Sequence, residues 1–545
     1  MKWNERLSIL TLLLIVGLAV VWVRQNLIHM EPVLEASTLF FELIIGALFI
    51  VIMRNIIGVK TFGVFGPVVV ALGLKTSGLL YGVPLYLDLF IIGMIVSLVI
   101  HPLALPGSFR VAAVQTIIAI TLTVFELMGE VYHLNQFEMA IFFPVIVLSW
   151  LADRYVAQVF ETGWVTPTKQ LLGTILVVVL AQQIIIQDEI TRFVALNPES
   201  WLVGLILLIL IARSTSLRLS EIFRFGIVRD AEGRGTVLGI DRRNRHFVAR
   251  YNPWTLFAFT SKDEMKRTFM QLEIPTPTTY GLIEGRGDLR IVGTLAKQHA
   301  EFVIKPASGY GGEGILVLAR SGGTADAPIF EAKDRDWSVK DLERHILSIL
   351  DGQYSGGNSD VAIIERRIAP DERLQAYSYG GLPDIRVIVL EGFPVMAMSR
   401  LPTKESEGAA NLHKGAIGLG LSMQDGSAIQ SVWHGHVVHT HPDTGADLST
   451  FQVPHWDAVL DLAIRAQGAS RLGYVGVDIV LDEIHGPMIL ELNKRPGLGI
   501  QNTNQAGLLK RLLHVERHLL EHRFDPVSDR IRLMRDWDGA GWSNA

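Results

Sequence analysis

Long apolar runs dominate the first 213 residues, and they limit what this chain can fold into more than any other feature. A helix needs roughly 20 apolar residues to cross a bilayer. Seven runs approach that length, at about 7–23, 37–57, 84–103, 110–128, 137–152, 168–187 and 199–213. An eighth, at about 61–80, is broken by Gly, Pro and Lys75 and is expected either to cross or to re-enter. Residues 1–213 are therefore predicted to form an all-α polytopic membrane bundle of about eight spans.

The charged residues mark where the membrane part ends. Residues 1–210 carry 23 Lys, Arg, Asp and Glu side chains, whereas residues 211–545 carry 80, which is typical of a soluble domain. The net charge of -5 gives no basic footprint for a nucleic-acid partner. The lack of Cys excludes disulfides, a thiol nucleophile and Cys-based zinc sites.

Basic residues indicate the orientation of the bundle, because Lys and Arg concentrate on the cytosolic side of membrane proteins. With eight spans and a cytosolic C-terminal half, the opposite side receives mainly Arg24, Lys75 and Arg192. The sequence thus predicts a multi-pass protein of the cytoplasmic (inner) membrane, in contact with the lipid bilayer and with both termini in the cytosol.

Three acidic residues, Glu42, Asp88 and Glu126, fall within or near the predicted spans. A charge inside a bilayer is expensive and points to function, but these residues are equally expected to pair within the bundle or to lie near an interface. Residues 214–250 then form an Arg-rich juxtamembrane stretch. It is expected either to attract anionic headgroups or to be a basic linker and the start of the soluble region.

A predicted hairpin near the C-terminus gathers three oxygen-bearing side chains. Residues 474–482 and 486–493 alternate apolar and polar positions around a turn. If the turn is centred between Ile484 and His485, Asp478 lies opposite Glu491, with Asn493 one diagonal step away. Like charges directly opposite on a sheet destabilise it unless something neutralises them. Oxygen-only ligands suit Mg2+ or Mn2+, although a solvated polar face is the plainer interpretation.

Several upstream features are suited to phosphate. Lys262 lies in the first turn of a predicted helix, where a cation is unusual unless an anion binds there. Lys305 ends an apolar strand and precedes a glycine-rich loop, whose backbone N–H groups are able to face phosphates. The loop glycines are Gly309, Gly311, Gly312 and Gly314.

Three further stretches complete the candidate set. The strand at 361–368 is either an adenine hinge, pairing free backbone edges with a purine, or a plain core strand. Asp384 and Arg386 share one face of a strand. Arg386 is expected either to bind a phosphoryl or carboxylate group or to form an ion pair with an Asp of the same chain. The run 434–441 holds four His, for which a metal site ranks below a structural role because a strand alternates its side chains between faces.

Taken in order, these motifs resemble the ATP-grasp superfamily, and within it the alpha-L-glutamate ligase-like group related to ribosomal-protein glutamate ligases. The resemblance spans about residues 225–525 and ends on Glu491-Leu492-Asn493-Lys494-Arg495-Pro496-Gly497. The preceding region resembles the seven-helix membrane domain found with inactive transglutaminases, with one added N-terminal helix. The implied fold is a membrane bundle followed by an α+β ATP-grasp domain and a C-terminal tail, residues 526–545.

The resemblance assigns roles to individual residues. It implies that Lys262, Lys305 and the glycine loop contact the ATP phosphates, and that Asp478, Glu491 and Asn493 hold Mg2+ (or Mn2+), as two ions. It implies that the transferred phosphoryl group is steadied by Arg386, Asn411 and Lys414. The implied adenine hinge consists of Ile364, Glu365, Arg366, Arg367 and Ile368. Relatives often have a second acid after the hinge Glu, where this chain has Arg366.

The function implied is an ATP-dependent carboxylate-amine ligase that joins an amino acid and a carboxylate-bearing small molecule or peptide through an acyl phosphate. Two alternatives stay open. The first is a transporter or sensor whose ATP-grasp domain reads nucleotide. The second is an ATP-grasp enzyme of cell-surface polymer or sugar-linked assembly.

Overall fold

The structure, a computed structural model, describes ten stretches of the chain: residues 3–26, 38–100, 107–131, 142–162, 164–214, 217–253, 262–308, 314–332, 335–355 and 359–541. The chain divides into two compact units, Met1–Ser220 and Glu221–Ala545. The division falls close to the point where charged residues become frequent in the sequence.

The N-terminal unit is helical throughout its described parts. Its helices are α1 (Trp3–Gln25), α2 (Thr38–Ile52), α3 (Phe65–Ile100), α4 (Gly107–Val131), α5 (Phe142–Thr162), α6 (Val165–Ile185), α7 (Asp188–Leu196) and α8 (Glu199–Ser214), and a π-helical turn, Met53–Ile57, follows α2. Every apolar run predicted as a span falls on one of these helices. Apolar side chains from α2 to α6 form the core of the unit, with Phe62 and Tyr155 near its centre.

Helix α3 joins two runs that the sequence separates. It is 36 residues long, and its backbone breaks at Gly78, where φ is 69° and ψ is 164°. Such a conformation is essentially restricted to glycine. Gly78 therefore separates two helical segments that fold back on each other, because a Cβ on Gly73 would meet Tyr86 Oη and one on Gly82 would lie 2.7 Å from Leu74 Cδ2.

Four helical stretches in the described chain are long and apolar enough to cross a membrane, or five if one bent pair counts as a single span. The bent pair is α7 with α8, which turn by 102° at their junction. Helix α7 was not predicted, because its sequence is too polar to register as an apolar run. The count of eight spans stays a prediction. The four stretches are Ser8–Gln25, Thr38–Ile57, Phe65–Ile100 and Val165–Ile185.

One of the three acids near the spans has a cationic partner. Glu42 is buried, and its Oε1 accepts a hydrogen bond of 2.8 Å from Lys75 Nζ, which also lies 3.3 Å from Asp188 Oδ1. Glu42 thus follows the pairing interpretation. Asp88 is exposed on α3, and the side chain of Glu126 lies outside the described residues.

The C-terminal unit is built on two antiparallel sheets. The first sheet has the strand order β1-β6-β2-β3-β4-β5 and carries α14 (Arg290–Gln298) and α15 (Val339–Leu350) on its core side. Helix α13 (Lys262–Gln271) precedes it. The strands are β1 (Thr279–Ile283), β2 (Glu301–Pro306), β3 (Leu316–Gly323), β4 (Pro328–Ala332), β5 (Arg335–Ser338) and β6 (Ala362–Glu365).

The second sheet has the order β11-β10-β9-β8-β7-β12-β13. Helix α17 (Trp456–Ser470) packs on strands β7, β8, β12 and β13 of this sheet. The strands of the sheet are β7 (Asp384–Leu390), β8 (Phe393–Leu401), β9 (Ile417–Leu421), β10 (Ala428–Trp433), β11 (His436–Val438), β12 (Tyr474–Asp482) and β13 (Gly486–Asn493). The remaining helices are α16 (Glu372–Gln375), α18 (Ile500–Asn504), α19 (Leu508–His522) and α20 (Val527–Gly539).

The predicted hairpin register is confirmed at its functional end. Asp478 faces Glu491, and Gly476 faces Asn493 across β12 and β13. Beyond Asp478 the register shifts by one residue, so that Ile479 faces Ile489. This bulge is invisible in the alternation of apolar residues, because it adds a single residue, Leu490, to one strand.

The Arg-rich stretch after the bundle is folded. It forms α9 (Leu219–Arg224), α10 (Gly226–Glu232), α11 (Ile240–Arg242) and α12 (Ala249–Tyr251), with a π-helical turn, Arg243–Val248, between the last two. From Glu221 onward these elements belong to the C-terminal unit.

We expect Gly78→Ala to destabilise the full-length protein by about 1–3 kcal/mol, because the φ and ψ of Gly78 are strained for a residue with a Cβ. Crowding does not contribute, since no atom lies within 4 Å of the position of that Cβ. Thermal unfolding of the detergent-solubilised protein measures the effect. Gly204→Ala in α8 is the matched control, since its surroundings are equally open and its backbone conformation is one that alanine adopts. Equal melting temperatures for the two variants would contradict the backbone break at Gly78.

Candidate active site

The structure brings Asp478, Glu491 and Asn493 together. Asn493 Nδ2 donates a hydrogen bond of 2.8 Å to Asp478 Oδ2 and one of 3.2 Å to Glu491 Oε1. All three side chains lie on the sheet face opposite to Val475, Val477 and Ile479, because successive residues of a strand point to opposite faces. The alternation of the sequence is therefore sufficient to gather them.

Two arginines hold the carboxylate of Asp478. Arg386 donates from Nε to Oδ1 over 2.7 Å and from Nη2 to Oδ2 over 2.6 Å, while Arg400 Nη2 donates to Oδ2 over 2.9 Å. Arg400 also forms a two-pronged pair with Asp384, which lies opposite it on the neighbouring strand. Asp478 is completely buried, and Arg386 is 7% exposed.

Sequence reasoning placed Arg386 here but missed Arg400. Arg386 faces Asp478 directly across β7 and β12, so it is the closest cation by register. Arg400 reaches the same carboxylate from β8, one strand further away. A hairpin turn at 391–392 by itself would place Ser399 opposite Asp384. A register shift between Ile388 and Val389 brings Arg400 there instead, and the sequence gives no sign of that shift.

Burial and the arginines act in opposite directions on these acids. Burial by itself raises the pKa of Asp478, but Arg386 and Arg400 outweigh it and hold that pKa below its usual range. For Asp384, burial is the stronger effect and raises the pKa despite the contact with Arg400. The Asp478 carboxylate is therefore ionised at neutral pH.

The donor set fits a hard divalent cation. It contains two carboxylates and one amide, which is the oxygen-rich chemistry that Mg2+ prefers. Asp478 Oδ2 already accepts from three donors, whereas Oδ1 accepts only from Arg386 Nε. In the described parts of the chain, no group of three or more His, Asp or Glu side chains is arranged for a metal. Asn493 would thus have to supply the third ligand oxygen, by turning its amide group.

A second charged cluster lies at the end of β6. The carboxylate of Glu365 contacts Lys305 Nζ over 2.5 Å through Oε1 and Lys266 Nζ through Oε2. The side chains of Lys266 and Glu365 are only 7% and 4% exposed. Lys266 was missed from the sequence, because its position in α13 carries no sign that it points inward.

The cluster contains two cations and one anion, and the pKa values reflect the imbalance. Burial lowers the pKa of Lys266 to about 8, although Glu365 opposes the change. Burial acts to raise the pKa of Glu365, but Lys305 and Lys266 outweigh it and lower that pKa. The excess charge is positive, as a site for phosphate requires.

The structure corrects the reason for placing an adenine hinge at Ile364 and Glu365. Strand β6 lies between β1 and β2, which pair with both residues, so neither has a free backbone edge. The N–H of Arg366 donates to Thr278 O over 2.8 Å. Among the described contacts, the Arg366 carbonyl group and the backbone of Arg367 and Ile368 remain for a purine that pairs with backbone here.

An ion pair connects the two clusters. Arg366, directly after Glu365, donates from Nη2 to Asp482 Oδ2 over 2.7 Å. Asp482 lies four residues after Asp478 on β12, roughly 13 Å along the strand. Burial acts to raise the pKa of Asp482, but Arg366 and His485 lower it to about 2. The position where relatives carry an acid is thus occupied by a cation with a partner of its own.

The remaining predicted residues have various positions. Asn411 caps the 3-10 turn Leu412–Lys414 by accepting from the His413 N–H, and no contact with Arg386 is seen for Asn411 or Lys414 in the described chain. The loop nevertheless lies near the site, because a Cβ on Gly499 would be 3.3 Å from Leu412 Cδ1. Gly309, Gly311 and Gly312 lie outside the described residues, as does the side chain of Lys262; Gly314 precedes β3.

The four histidines of the run 434–441 have different surroundings. His434, His436 and His439 are exposed, and His434 pairs with Glu405. His441 is buried, and its Nε2 lies 3.0 Å from the carbonyl oxygen of Pro402.

We expect Glu365→Gln to destabilise the protein by about 3–5 kcal/mol, because it leaves two buried lysines without a counter-charge. Urea unfolding of the solubilised protein measures the loss. Glu301→Gln is the matched control on the adjacent strand: Glu301 pairs with Arg367, but the side chains are 55% and 42% exposed, so the cost is about 1 kcal/mol or less. A loss for Glu365→Gln as small as the control's would contradict the buried cluster.

A pH dependence follows from Lys266. Its pKa is about 8 in the folded protein and 10.5 in the unfolded chain, so between these values the unfolded chain binds more protons. Stability should therefore rise as the pH increases from 8 to about 10.5. We expect this component of the slope to be absent from Lys266→Met, measured by urea unfolding at several pH values. Parallel pH profiles for the two proteins would show that Lys266 does not have the lowered pKa.

Family comparisons agree with this geometry. A family model described as sugar-transfer associated ATP-grasp matches residues 242–517, and one described as seven transmembrane helices usually fused to an inactive transglutaminase matches residues 7–229. No curated protein sequence matches the chain significantly. Both resemblances seen in the sequence are confirmed at this level, and the glutamate-ligase-like subgroup stays a prediction.

Solved structures of ATP-grasp ligases are similar at low identity. The ligase PsnB with a minimal precursor gives 15% identity and a TM-score of 0.26, covering 48% of this chain and 62% of that one. D-alanine–D-alanine ligase from Bacillus anthracis with ATP gives 15% and 0.24, covering 51% and 67%. D-alanyl-alanine synthetase A from Vibrio cholerae gives 11% and 0.28, covering 52% and 65%.

The chain thus spans about three fifths to two thirds of the length of these ligases, and similarities this weak carry no argument about its activity. The family model is stronger, because residues 242–517 are half of the chain. The protein belongs to the sugar-transfer associated ATP-grasp family, with a helical N-terminal part that matches the seven-helix transmembrane family.

Proposed function

We propose that this protein is a membrane-embedded, ATP-dependent carboxylate-amine ligase that forms an amide through an acyl phosphate. The observation that carries the proposal is that one unit of the chain gathers Asp478, Glu491 and Asn493 and, separately, two lysines on the buried carboxylate of Glu365. The first set presents carboxylate and amide oxygens, which suit a hard divalent cation. Among the described residues, Lys266, Lys305 and Glu365 sum to one excess positive charge.

This arrangement suits a metal-nucleotide complex. The acidic cluster, Asp478, Glu491 and Asn493, would hold the cation, and the lysine cluster would attract the phosphates. Arg366 and Asp482 join the end of β6 to the end of β12. Phosphates at the lysine cluster would meet opposite charge there, and a cation bound to those phosphates would meet the carboxylates of Asp478 and Glu491.

In the proposed reaction, a substrate carboxylate oxygen attacks the γ-phosphorus of ATP. A new O–P bond forms, the bond to the β-phosphate oxygen breaks, and ADP leaves. An amine nitrogen then attacks the acyl carbon, the carbon–oxygen bond to phosphate breaks, and the amine loses a proton. No protein nucleophile is needed, which is compatible with a chain that contains no Cys.

The residues have separate roles in this scheme. Asp478, Glu491 and Asn493 would hold Mg2+ or Mn2+, as two ions, which neutralise the charge that builds up on the phosphoryl oxygens. Lys305 and Lys262 would bind the phosphates, and the glycine loop would cover them. Arg386, Asn411 and Lys414 would steady the transferred phosphoryl group. Holding the reactants in line lowers the entropic part of the barrier.

The predicted location of the ATP-grasp domain and the description of its family limit the classes of substrate that we propose. A cytosolic orientation of the ATP-grasp domain, which the distribution of basic residues favours, gives access to ATP. The amine or the acid is proposed to be an amino acid, glutamate among the candidates, with a peptide or small molecule as the second substrate. The family description, sugar-transfer associated, favours a second candidate in which the acceptor is a sugar-linked building block of a surface polymer.

We expect the purified full-length protein to release ADP only when both an acid and an amine are present with Mg2+ and ATP. A panel of amino acids, short peptides, amino sugars and uronic acids serves as substrates, and hydroxylamine traps the acyl phosphate as a hydroxamate. Glu491→Gln should lower the rate by about 10²–10³-fold, as expected when one stabiliser of transition-state charge is lost. The matched control is Glu483→Gln at the exposed turn of the same hairpin, which should retain full activity.

Two outcomes contradict the ligase proposal. Tight ATP binding without ADP release across the panel would favour a transporter or sensor that reads nucleotide. ADP release that is equally fast in Glu491→Gln would remove Glu491 from the reaction.

A further inference from the structure

The folded stretch 238–252, which we call the strap, lies against the loop that follows Asn493. The strap contains α11, the π-helical turn and α12. The loop, residues 494–499, leads from β13 to α18. Asn493 is the last residue of β13, so its backbone is held by the pairing with Gly476 on one side and by the loop on the other.

Asn252 ties the strap to both strands of the hairpin. Its Nδ2 donates to Tyr474 O over 2.5 Å and to Lys494 O over 3.1 Å, while its Oδ1 accepts from Tyr474 N over 2.9 Å. Asn252 is only 2% exposed. One buried amide thus connects the first residue of β12 to the residue directly after Asn493.

Two more links fix the rest of the loop. Arg243 Nη1 donates to Pro496 O over 2.9 Å. The side-chain amide of Gln501 accepts from Leu238 N over 2.8 Å and donates to Leu238 O over 3.1 Å. The strap therefore satisfies carbonyl groups of a loop that has no ladder of its own.

The strap is itself anchored on its other side. Glu516 of α19 accepts from Tyr251 Oη over 2.6 Å and lies 2.9 Å from His246 Nε2. The ring of Phe247 packs 5.8 Å from that of Tyr474, and both are fully buried. Because the strap is held on two sides, it is able to fix the position of the loop instead of moving with it.

The loop in turn contacts the acidic cluster. A Cβ on Gly476 would lie 2.8 Å from Pro496 Cβ and 3.6 Å from Arg386 Cδ, and one on Gly497 would lie 3.9 Å from Arg386 Nη1. Pro496 therefore fits closely over β12, beside the arginine that holds Asp478. A shift of the loop would move Asn493 at one end and alter the packing against Arg386 in its middle.

We propose that the strap positions the metal-holding set, with Arg243 and Asn252 as positioning residues that act through Lys494 and Pro496. The inference rests on the proposed function, because it assigns Asn493 to the cation. The inference adds positioning residues from the strap, which lies in the sequence between the membrane helices and the first strand of the domain. Residues that orient metal ligands from behind typically change metal affinity by about 10–100-fold when removed.

The test is Mn2+ binding to the full-length protein in detergent, measured by electron paramagnetic resonance in the presence of a non-hydrolysable ATP analogue. Arg243→Ala and Asn252→Ala should each weaken Mn2+ binding by about 10–100-fold. Arg243→Lys should restore most of the affinity, because only one N–H group reaches Pro496. Arg245→Ala is the matched control, since this exposed neighbour donates to Asp241 O within the strap.

Thermal unfolding separates positioning from folding. The inference predicts that Arg243→Ala melts cooperatively and has lost Mn2+ affinity; if Asn252→Ala does not fold, Arg243→Ala and its lysine rescue decide the question. Folded variants that bind Mn2+ as tightly as the unaltered protein would overturn only the positioning role of the strap. Unaltered protein that binds no Mn2+ with the nucleotide analogue would overturn the proposed function, and the strap with it.

Discussion

The buried carboxylate of Asp478 is the constraint on which the rest of the C-terminal unit depends. A completely buried charge is tolerable only with partners, and it receives four hydrogen bonds from Arg386, Arg400 and Asn493. These partners come from three other strands, β7, β8 and β13. These hydrogen bonds favour the order and the register of those strands, because a misplaced strand would leave a buried charge without its partner.

A second consequence concerns the arginines. Arg386 and Arg400 offset the charge of Asp478, and Glu491 faces Asp478 across the two strands. At Glu365 the described side chains are two lysines and one carboxylate, so positive charge is in excess there. An anion such as a phosphate would balance that second cluster.

At the N-terminal edge of this unit, a segment that belongs to neither sheet contacts the candidate site. The strap precedes the first sheet by more than 25 residues, but its contacts are with the last strands of the second sheet. Glu516 of α19 holds it from the other side. Residues distant in sequence thus converge on the six-residue loop after Asn493, where a small displacement has the largest effect on the ligand oxygens.

The sequence by itself determined the apolar helices, the two-part division of charge and the pairing of Asp478 with Glu491, because each depends on a local period or on a turn. It also identified Arg386 and Lys305 as residues at strand positions that face the site. Only the tertiary structure decided the roles of Arg400, Lys266, Arg243 and Asn252, since a pairing across non-adjacent strands or from a helix leaves no period to read. The same reason explains why the sequence left open whether β6 is an adenine hinge or a core strand: whether a strand has neighbours on both sides is a property of the sheet, not of the strand.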